Sequence, residues 1–523
     1  MHLRTAIACA ALLGGTFVAL SGPTAQAATA RYEAETSPAV CTGAIESDWT
    51  GYSGSGFCNA TNATSGYAQF TVTSSAAGTA TVSVRFANGT TTARPANIIV
   101  NGTTVSTVSF EGTGTWTGWT TKTLTVPVNS GSNTIRLSPT TATGLPNVDY
   151  LEATTPDGGT TPPASGALYV SPSGTAGAAG TIDAPTTLAS AIGKVSSGGT
   201  IYLRGGTYNH STTVTIPAGS NGTSSARTTL AAYAGETPVL NFSAQTEASS
   251  NRGLQLNASY WHIKGLVVER AGDNGIYVGG SNNVIERTVT RYNRDTGLQL
   301  GRMASTTPNS EWPANNLILS AESHDNADSD GEDADGFAAK LTTGSGNVFR
   351  YAVSHNNIDD GWDLYTKTDT GAIGPVTIED SLAYDNGTLS DGTTAGNGDR
   401  NGYKLGGDGI AVNHVVKRSI AFENGKHGFT FNSNPGTMTI SNNLSIANTE
   451  RNFNFDGGTS VFRNNTSCNS GSSDRYVGDA DSSNQFWSGT NGSRCSAYNG
   501  ALGWSFASNG TLVVTIGGTK VTL

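Results

Sequence analysis

Charge is what this chain has least of. Asp, Glu, Lys and Arg make up 13% of its 523 residues, and acids outnumber bases 39 to 29 for a net charge of −10. A surface of that sign offers no long-range attraction to nucleic acid, which excludes the electrostatic footprint of DNA- and RNA-binding proteins. Beyond the first 27 residues no apolar run is long enough to cross a bilayer, so no membrane association is expected. Cysteine is scarce too: there are five, none in a CxxC spacing, which argues against a zinc site.

What the N-terminus does have is a leader. His2 and Arg4 precede an apolar stretch over residues 6–20 and a small-residue end at Ala25-Gln-Ala27. That pattern predicts a secretory signal, residues 1–27, and a secreted, extracellular protein. Cys9 leaves with it, and the four remaining cysteines fall into neighbouring pairs, Cys41 with Cys58 and Cys468 with Cys495. An even count in a secreted chain predicts two disulfides, paired by proximity.

The dominant pattern is a short phrase, Gly followed by apolar, variable, apolar. It begins at Gly253, Gly275, Gly297, Gly336, Gly361, Gly402 and Gly428, with an imperfect eighth copy at Asn452. Recurrence at 22 to 41 residues predicts the stacked coils of a solenoid. Period-two alternation within the phrase makes it a strand, so each coil is one turn of a β-helix. A second apolar run precedes the phrase in most coils, for example Val284-Ile285 and Val415-Val416. Asn293, Asn357, Asn424 and Asn448 each stand four residues before a phrase, which predicts a corner ladder of side-chain amides. The two long spacings are assigned to loops over residues 326–336 and 386–402, and loops of that kind carry function.

Equivalent positions of a parallel stack lie about 4.8 Å apart, so the register places chemistry. The outward residues two after each glycine run Gln255, Tyr277, Gln299, Ala338, Asp363, Lys404, Thr430, Asn454. Those just before the glycine run Arg252, Asn274, Thr296, Asp335, Asp360, Asn401, His427, Arg451. The acids of both columns fall on two adjacent coils, and the lysine falls on the next. Asp335, Asp360 and Asp363, with the adjacent Asp359, are therefore expected in one patch beside Lys404. Four gathered carboxylates repel one another without a compensating cation, and an oxygen-rich cluster suits Ca²⁺.

Glu332-Asp-Ala-Asp-Gly-Phe-Ala-Ala-Lys340, Asp359-Asp-Gly-Trp-Asp-Leu-Tyr365 and Asn401-Gly-Tyr-Lys-Leu-Gly-Gly407 together resemble pectate lyases of polysaccharide lyase family 9, over roughly residues 167–470. The resemblance implies a right-handed parallel β-helix, a catalytic Ca²⁺ on Asp335, Asp359, Asp360 and Asp363, and Lys404 as the base. The chemistry implied is β-elimination on a 4-linked galacturonan: the proton leaves C5 and the oxygen leaves C4. A base must be neutral to accept that proton, and a dication nearby lowers a lysine's pKa, so an alkaline optimum is expected. Lys340 and Arg400 are candidates for holding substrate carboxylates. Rhamnogalacturonan as substrate, and a non-catalytic polysaccharide-binding β-helix, stay open as alternatives.

Residues 28–153 carry short alternating strands between Gly and Asn turns, which predicts a β-sandwich. Tyr32-Glu-Ala-Glu35, the stretch around Trp116 and Trp119, and Asn147-Val-Asp-Tyr-Leu-Glu152 resemble carbohydrate-binding module family 35. That resemblance implies a structural calcium near Glu33, Glu35 and Asp149, and Tyr52, Asn88, Trp119 and Asn147 are taken as sugar contacts. A Pro/Gly/Thr linker, residues 154–166, separates this module from the β-helix of residues 167–523. Thr187 to Val195 has helical spacing and is expected to cap the first coils, while the tail after residue 470 is expected to cover the far end or a flank. The whole is expected to be an all-β monomer that acts on a pectic polysaccharide.

Overall fold

The computed structural model describes residues 28–74, 78–129, 131–155, 166–394 and 396–523. The expected leader lies outside these residues, as does the linker apart from its ends; Thr154 and Thr155 still belong to a strand, Asn147–Thr155. The chain divides into two compact units, Met1–Pro162 and Pro163–Leu523.

The first unit is a sandwich of two antiparallel sheets, one of six strands and one of five. Alternation builds its core: in Ala68–Ser74, Ala68, Phe70 and Val72 are buried while the residues between them turn outward. The short alternating strands expected from the sequence include Gly78–Ala87, Arg94–Val100, Thr120–Val128 and Gly131–Pro139. A disulfide joins Cys41 to Cys58.

The second unit is a parallel β-helix whose coils have three faces. One representative coil comprises Ile276–Val278, Val284–Glu286 and Val289–Arg291. The phrase strands pair in the expected register, with Gln255, Tyr277, Gln299, Ala338, Asp363, Lys404, Thr430 and Asn454 successive partners. Their inward neighbours form an aromatic column at the same repeat: Phe337 to Trp362 at 4.9 Å, Trp362 to Tyr403 at 4.8 Å, Tyr403 to Phe429 at 4.6 Å. All four rings are fully buried. Pairs at such separations contribute about 0.5–1.5 kcal/mol each beyond area burial, so the column stiffens the coils that carry the acids.

The third face was not expected from the sequence. Its inward positions, Thr290, Ser323, Ser354, Ala383, Ala421, Ser445 and Ser467, are small and mostly polar, so they show no apolar period. They explain the recurring glycine. A Cβ at Gly297, Gly336 or Gly428 would stand 2.0, 2.0 or 2.1 Å from the hydroxyl of Ser323, Ser354 or Ser445. At these three coils the third face leaves no room for a side chain, and at Gly361 and Gly402 the carbonyl of the next coil, 2.5 and 2.7 Å from such a Cβ, has the same effect.

The corner ladder runs Asn293, Asn326, Asn357, Asn386, Asn424, Asn448, Asn452, each amide donating to the next carbonyl oxygen at 2.7–3.0 Å. Two of its members, Asn326 and Asn386, open the expected long loops. The first of those loops accounts for only part of its long spacing: most of the added residues lie earlier, between Leu300 and Leu317, around the 3₁₀ turn Asn309–Glu311. A second ladder, Asn283, Asn316, Asn347, supports another corner.

A helix, Leu188–Lys194, N-capped by Thr187, covers the first coils. At the other end the tail folds into a small antiparallel sheet, Leu502–Phe506, Leu512–Ile516 and Thr519–Lys520. Val514 and Ile516 pack on Val353, Leu382, Ile420 and Leu444 of the third face, so the tail covers a flank. The Cys468–Cys495 disulfide ties it down.

Candidate active site

Three adjacent coils meet at one point on the phrase face. Asp335 and Asp360 precede their glycines, Asp363 and Lys404 pair across neighbouring strands, and Asp359 stands beside Asp360. Carboxylate oxygens of Asp335, Asp359 and Asp360 lie within 4.8 Å of one another, and all three residues are buried. Asp363 stands at the edge of this trio, joined to it through two lysines. Lys340 Nζ lies 2.7 Å from Asp335 Oδ2 and 3.4 Å from Asp363 Oδ2. Lys404 Nζ lies 3.3 Å from Asp360 Oδ2 and 3.9 Å from Asp363 Oδ2.

Backbone and side-chain donors orient the acids. Asp359 Oδ1 accepts from the amides of Asp399 and Arg400. Asp360 Oδ1 accepts from the amide N–H and side-chain Nδ2 of Asn401, at 2.6 and 2.9 Å. Asp335 takes a bond from Thr296 Oγ1 at 3.0 Å, and Asp363 Oδ1 one from the Tyr365 amide at 2.9 Å. One oxygen is left over: Asp360 Oδ2 is buried and accepts no hydrogen bond, the Lys404 ammonium being close but poorly angled.

Burial pushes the Asp335 and Asp359 carboxyls well up, against the pull of the lysines, and pushes Asp360 up to about 6. Burial also disfavours charge on Lys340 and Lys404, but the surrounding carboxylates outweigh it and hold both above the ordinary lysine range. Counting Asp399 and Lys426, five carboxylates face three ammonium groups. Held ionised by a bound cation, the five would exceed the ammonium groups by two negative charges, the charge of one divalent cation. An orphaned buried oxygen, an all-oxygen donor set and that excess fit Ca²⁺.

Asp399 and Lys426 were missed by the sequence reading. Asp399 bridges Lys404 at 3.1 Å and Lys426 at 2.8 Å, and these two ammonium groups outweigh its burial to hold its carboxyl below the usual range. It lies three residues before Gly402, outside the two columns compared; an acid in the loop entering the lysine's own coil was the available signal. Lys340 is buried to the same degree as Lys404, its ammonium ion-paired to Asp335 and Asp363. Arg400 lies over Gly387 and Gly425, its backbone at φ 61° and its Nε buried without a partner.

In the sandwich, Glu33, Glu35 and Asp149 gather around residues 53–55: Ser53 Oγ donates to Glu33 Oε2 at 2.6 Å, the Ser53 amide to Asp149 Oδ1 at 3.0 Å, and the Ser55 amide to Glu35 Oε1 at 2.8 Å. Asp149 is also ion-paired to Arg85. Among the described residues, Asp335, Asp359 and Asp360 are the one group of three whose ligand oxygens all lie within 4.8 Å of one another. Glu35 Oε2 is buried and unpartnered. Tyr52 and Trp119 flank Phe57 at 5.7 and 5.3 Å. Asn88 and Asn147 are buried; the Asn88 amide donates to the carbonyls of Thr92 and Phe110, so its side chain staples a loop rather than facing a ligand.

A parallel β-helix with a carboxylate cluster and a lysine on one face defines a class of carbohydrate-active enzymes, and comparison with known proteins specifies it. Residues 168–466 match the family described as Pel9A-like, right handed beta helix region, and residues 29–155 match carbohydrate binding module family 6. A Pectate lyase L of Paenibacillus polymyxa is 58% identical over 341 residues, 65% of this chain and 76% of that protein. Pectate lyase PEL9 of Emericella nidulans is 37% identical over 350 residues, 60% of this chain and 82% of that one. The crystal structure of pectate lyase Pel9A superposes with a TM-score of 0.54 at 32% identity, covering 62% of this chain and 81% of that one. The chain belongs to the Pel9A-like right-handed β-helix family and is a polysaccharide lyase.

Proposed function

We propose that this enzyme is a secreted, calcium-dependent pectate lyase that cleaves 4-linked galacturonan by β-elimination. The observation that carries the reading is the juxtaposition of Lys404 with a buried acid cluster whose carboxyl groups outnumber the ammonium groups facing them, and in which one oxygen, Asp360 Oδ2, accepts no hydrogen bond among the described residues. Asp335, Asp359, Asp360 and Asp363 would hold the ion. When bound, calcium supplies positive charge against the substrate carboxylate, whose neighbouring C5 proton is otherwise hard to remove.

Lys404 takes the C5 proton on Nζ once its amine is neutral, a state that the bare carboxylates oppose and that a dication held on them would favour. The electron pair of that bond forms the C4–C5 double bond, and the C4–O bond breaks with its pair leaving on oxygen. No water is consumed, so the site needs no carboxylic acid and base pair of the hydrolytic kind. Asp399 and Tyr365 orient the amine: the carboxylate lies 3.1 Å from Nζ, and Nζ sits 5.5 Å from the tyrosine ring centroid. Arg400, whose side chain runs over Gly387 and Gly425, is our candidate for meeting a second uronate. The N-terminal module holds the enzyme on the polysaccharide.

The test is incubation of the full chain with polygalacturonate and with rhamnogalacturonan, with and without a chelator, following the ultraviolet absorbance of unsaturated uronates. Calcium-dependent absorbance on polygalacturonate is expected. Signal only on rhamnogalacturonan would reassign the substrate, and silence on both polymers would reject the lyase reading.

A further inference from the structure

The C-terminal sheet does not close fully onto the flank it covers. Between them lies a cleft of about 610 Å³, on a different face of the coil from the acid cluster. That volume is in the range of small-ligand sites, about 300–1,000 Å³. Its floor is Tyr384 and Phe422, partners on adjacent coils, and its opposite wall is Trp504 with the small residues Gly500, Ala501 and Gly503. The aromatic surface is fixed before any ligand arrives. Tyr384 stacks on His355 at 4.7 Å with the rings 8° apart, Trp504 Nε1 donates to the Tyr384 hydroxyl at 3.0 Å, and Phe506 meets the Trp504 ring edge-on at 5.4 Å.

At the rim stand Asp385 and Glu423, each immediately after its aromatic and one coil apart. Neither carboxylate makes an ion pair or a side-chain hydrogen bond among the described residues. Burial, with Glu423 alongside, pushes the Asp385 carboxyl up to about 6. Two unpaired acceptors beside a rigid aromatic platform suit one chemistry: a sugar ring laid on the aromatic face through its C–H side, with neighbouring hydroxyls donating to the carboxylates. The same pair repels a uronate, so the ligand carries no charge of its own.

We infer that this cleft is a second carbohydrate-binding site, separate from the catalytic face and from the N-terminal module, that takes a neutral sugar residue. It would hold uncharged side branches of a polysaccharide whose charged backbone lies elsewhere on the enzyme. The choice of side branches rests on the proposed pectic substrate, but the test reads binding alone and so fails independently of that reading.

Calorimetric titration of the full chain with β-1,4-galactotetraose, and separately with spermine, compares wild type, Trp504→Ala and the double variant Asp385→Ala/Glu423→Ala. Galactotetraose is expected to bind wild type and to bind both variants about tenfold or more weaker, a loss of about 1.4 kcal/mol per decade. Trp504→Ala also removes the bond to Tyr384 and can loosen the tail, so the double variant, whose side chains hold nothing else, decides. Galactotetraose affinity within twofold of wild type in that variant places the sugar elsewhere and overturns the assignment. So does binding of spermine without galactotetraose, or no binding of either.

Discussion

Replacing Lys404 by Met separates the two jobs assigned to the cluster. The amine lies 3.3 Å from Asp360 Oδ2, a separation worth about 5 kcal/mol of attraction at an effective dielectric constant of about 20. An ammonium so placed repels a dication bound to the same carboxylates with comparable strength, so removing it cannot weaken calcium binding and is expected to tighten it. Turnover moves the opposite way. A positioned general base contributes about 10²–10⁴ in rate, roughly 3–5 kcal/mol of barrier, and the variant is expected to lose that factor in kcat. The assay pairs calcium calorimetry with the rise in ultraviolet absorbance on polygalacturonate, with circular dichroism to establish that the coil is intact. Activity within tenfold of wild type would refute the assignment of the base. Weaker calcium binding in a folded variant would refute the electrostatic argument, because it would mean that the amine supports the ion rather than opposing it.

Three further outcomes follow from the geometry. Asp360→Asn keeps an acceptor for Asn401 and replaces the orphaned oxygen with a donor, so the fold is expected to survive while half-saturating calcium rises about tenfold or more, read by activity against free calcium. Asn386→Ala removes a rung bonded to Ser354, Asn357 and Asn424 and leaves buried groups unpaired; about 3 kcal/mol of lost stability is expected, seen as a lower urea midpoint. Glu286 is held down to about 2, from an ordinary 4.5, by its hydrogen bond to His262 and by Lys264. A depressed carboxyl stabilises the fold above its unfolded pKa, and that contribution disappears as pH falls from about 4.5 to about 2. With Lys264 nearly half exposed, about 1–2 kcal/mol is expected, so the urea-midpoint gap between wild type and Glu286→Gln should close over that pH range.

The catalytic face was legible because strand parity is strict. Once Gly361 and Gly402 were recognised as equivalent, Asp363 and Lys404 had to be neighbours. The inward column of Phe337, Trp362, Tyr403 and Phe429 follows from the same parity. The third face was not legible, because Ser323, Ser354 and Ser445 face inward, where sequence patterns expect Val or Ile, and three-residue strands leave too few positions for a period to show. Asp399 escaped because loop residues keep no register: its approach to Lys404 depends on how residues 387–401 fold back, which no repeat encodes. Lys340 sits five residues after Asp335 in sequence and outside both columns, yet its ammonium returns to that carboxylate.

The asparagine column divides labour between the corners and the walls of the coil. Every amide in it is committed to its neighbours above and below, so the path of the chain is set on both sides of whatever is inserted between Asn386 and Gly402. The segment that carries Asp399 to Lys404 can therefore change in length or composition while the rungs on either side keep their alignment. Such a scaffold can take on new substrates by altering its ornaments, with the thread beneath them left as it was.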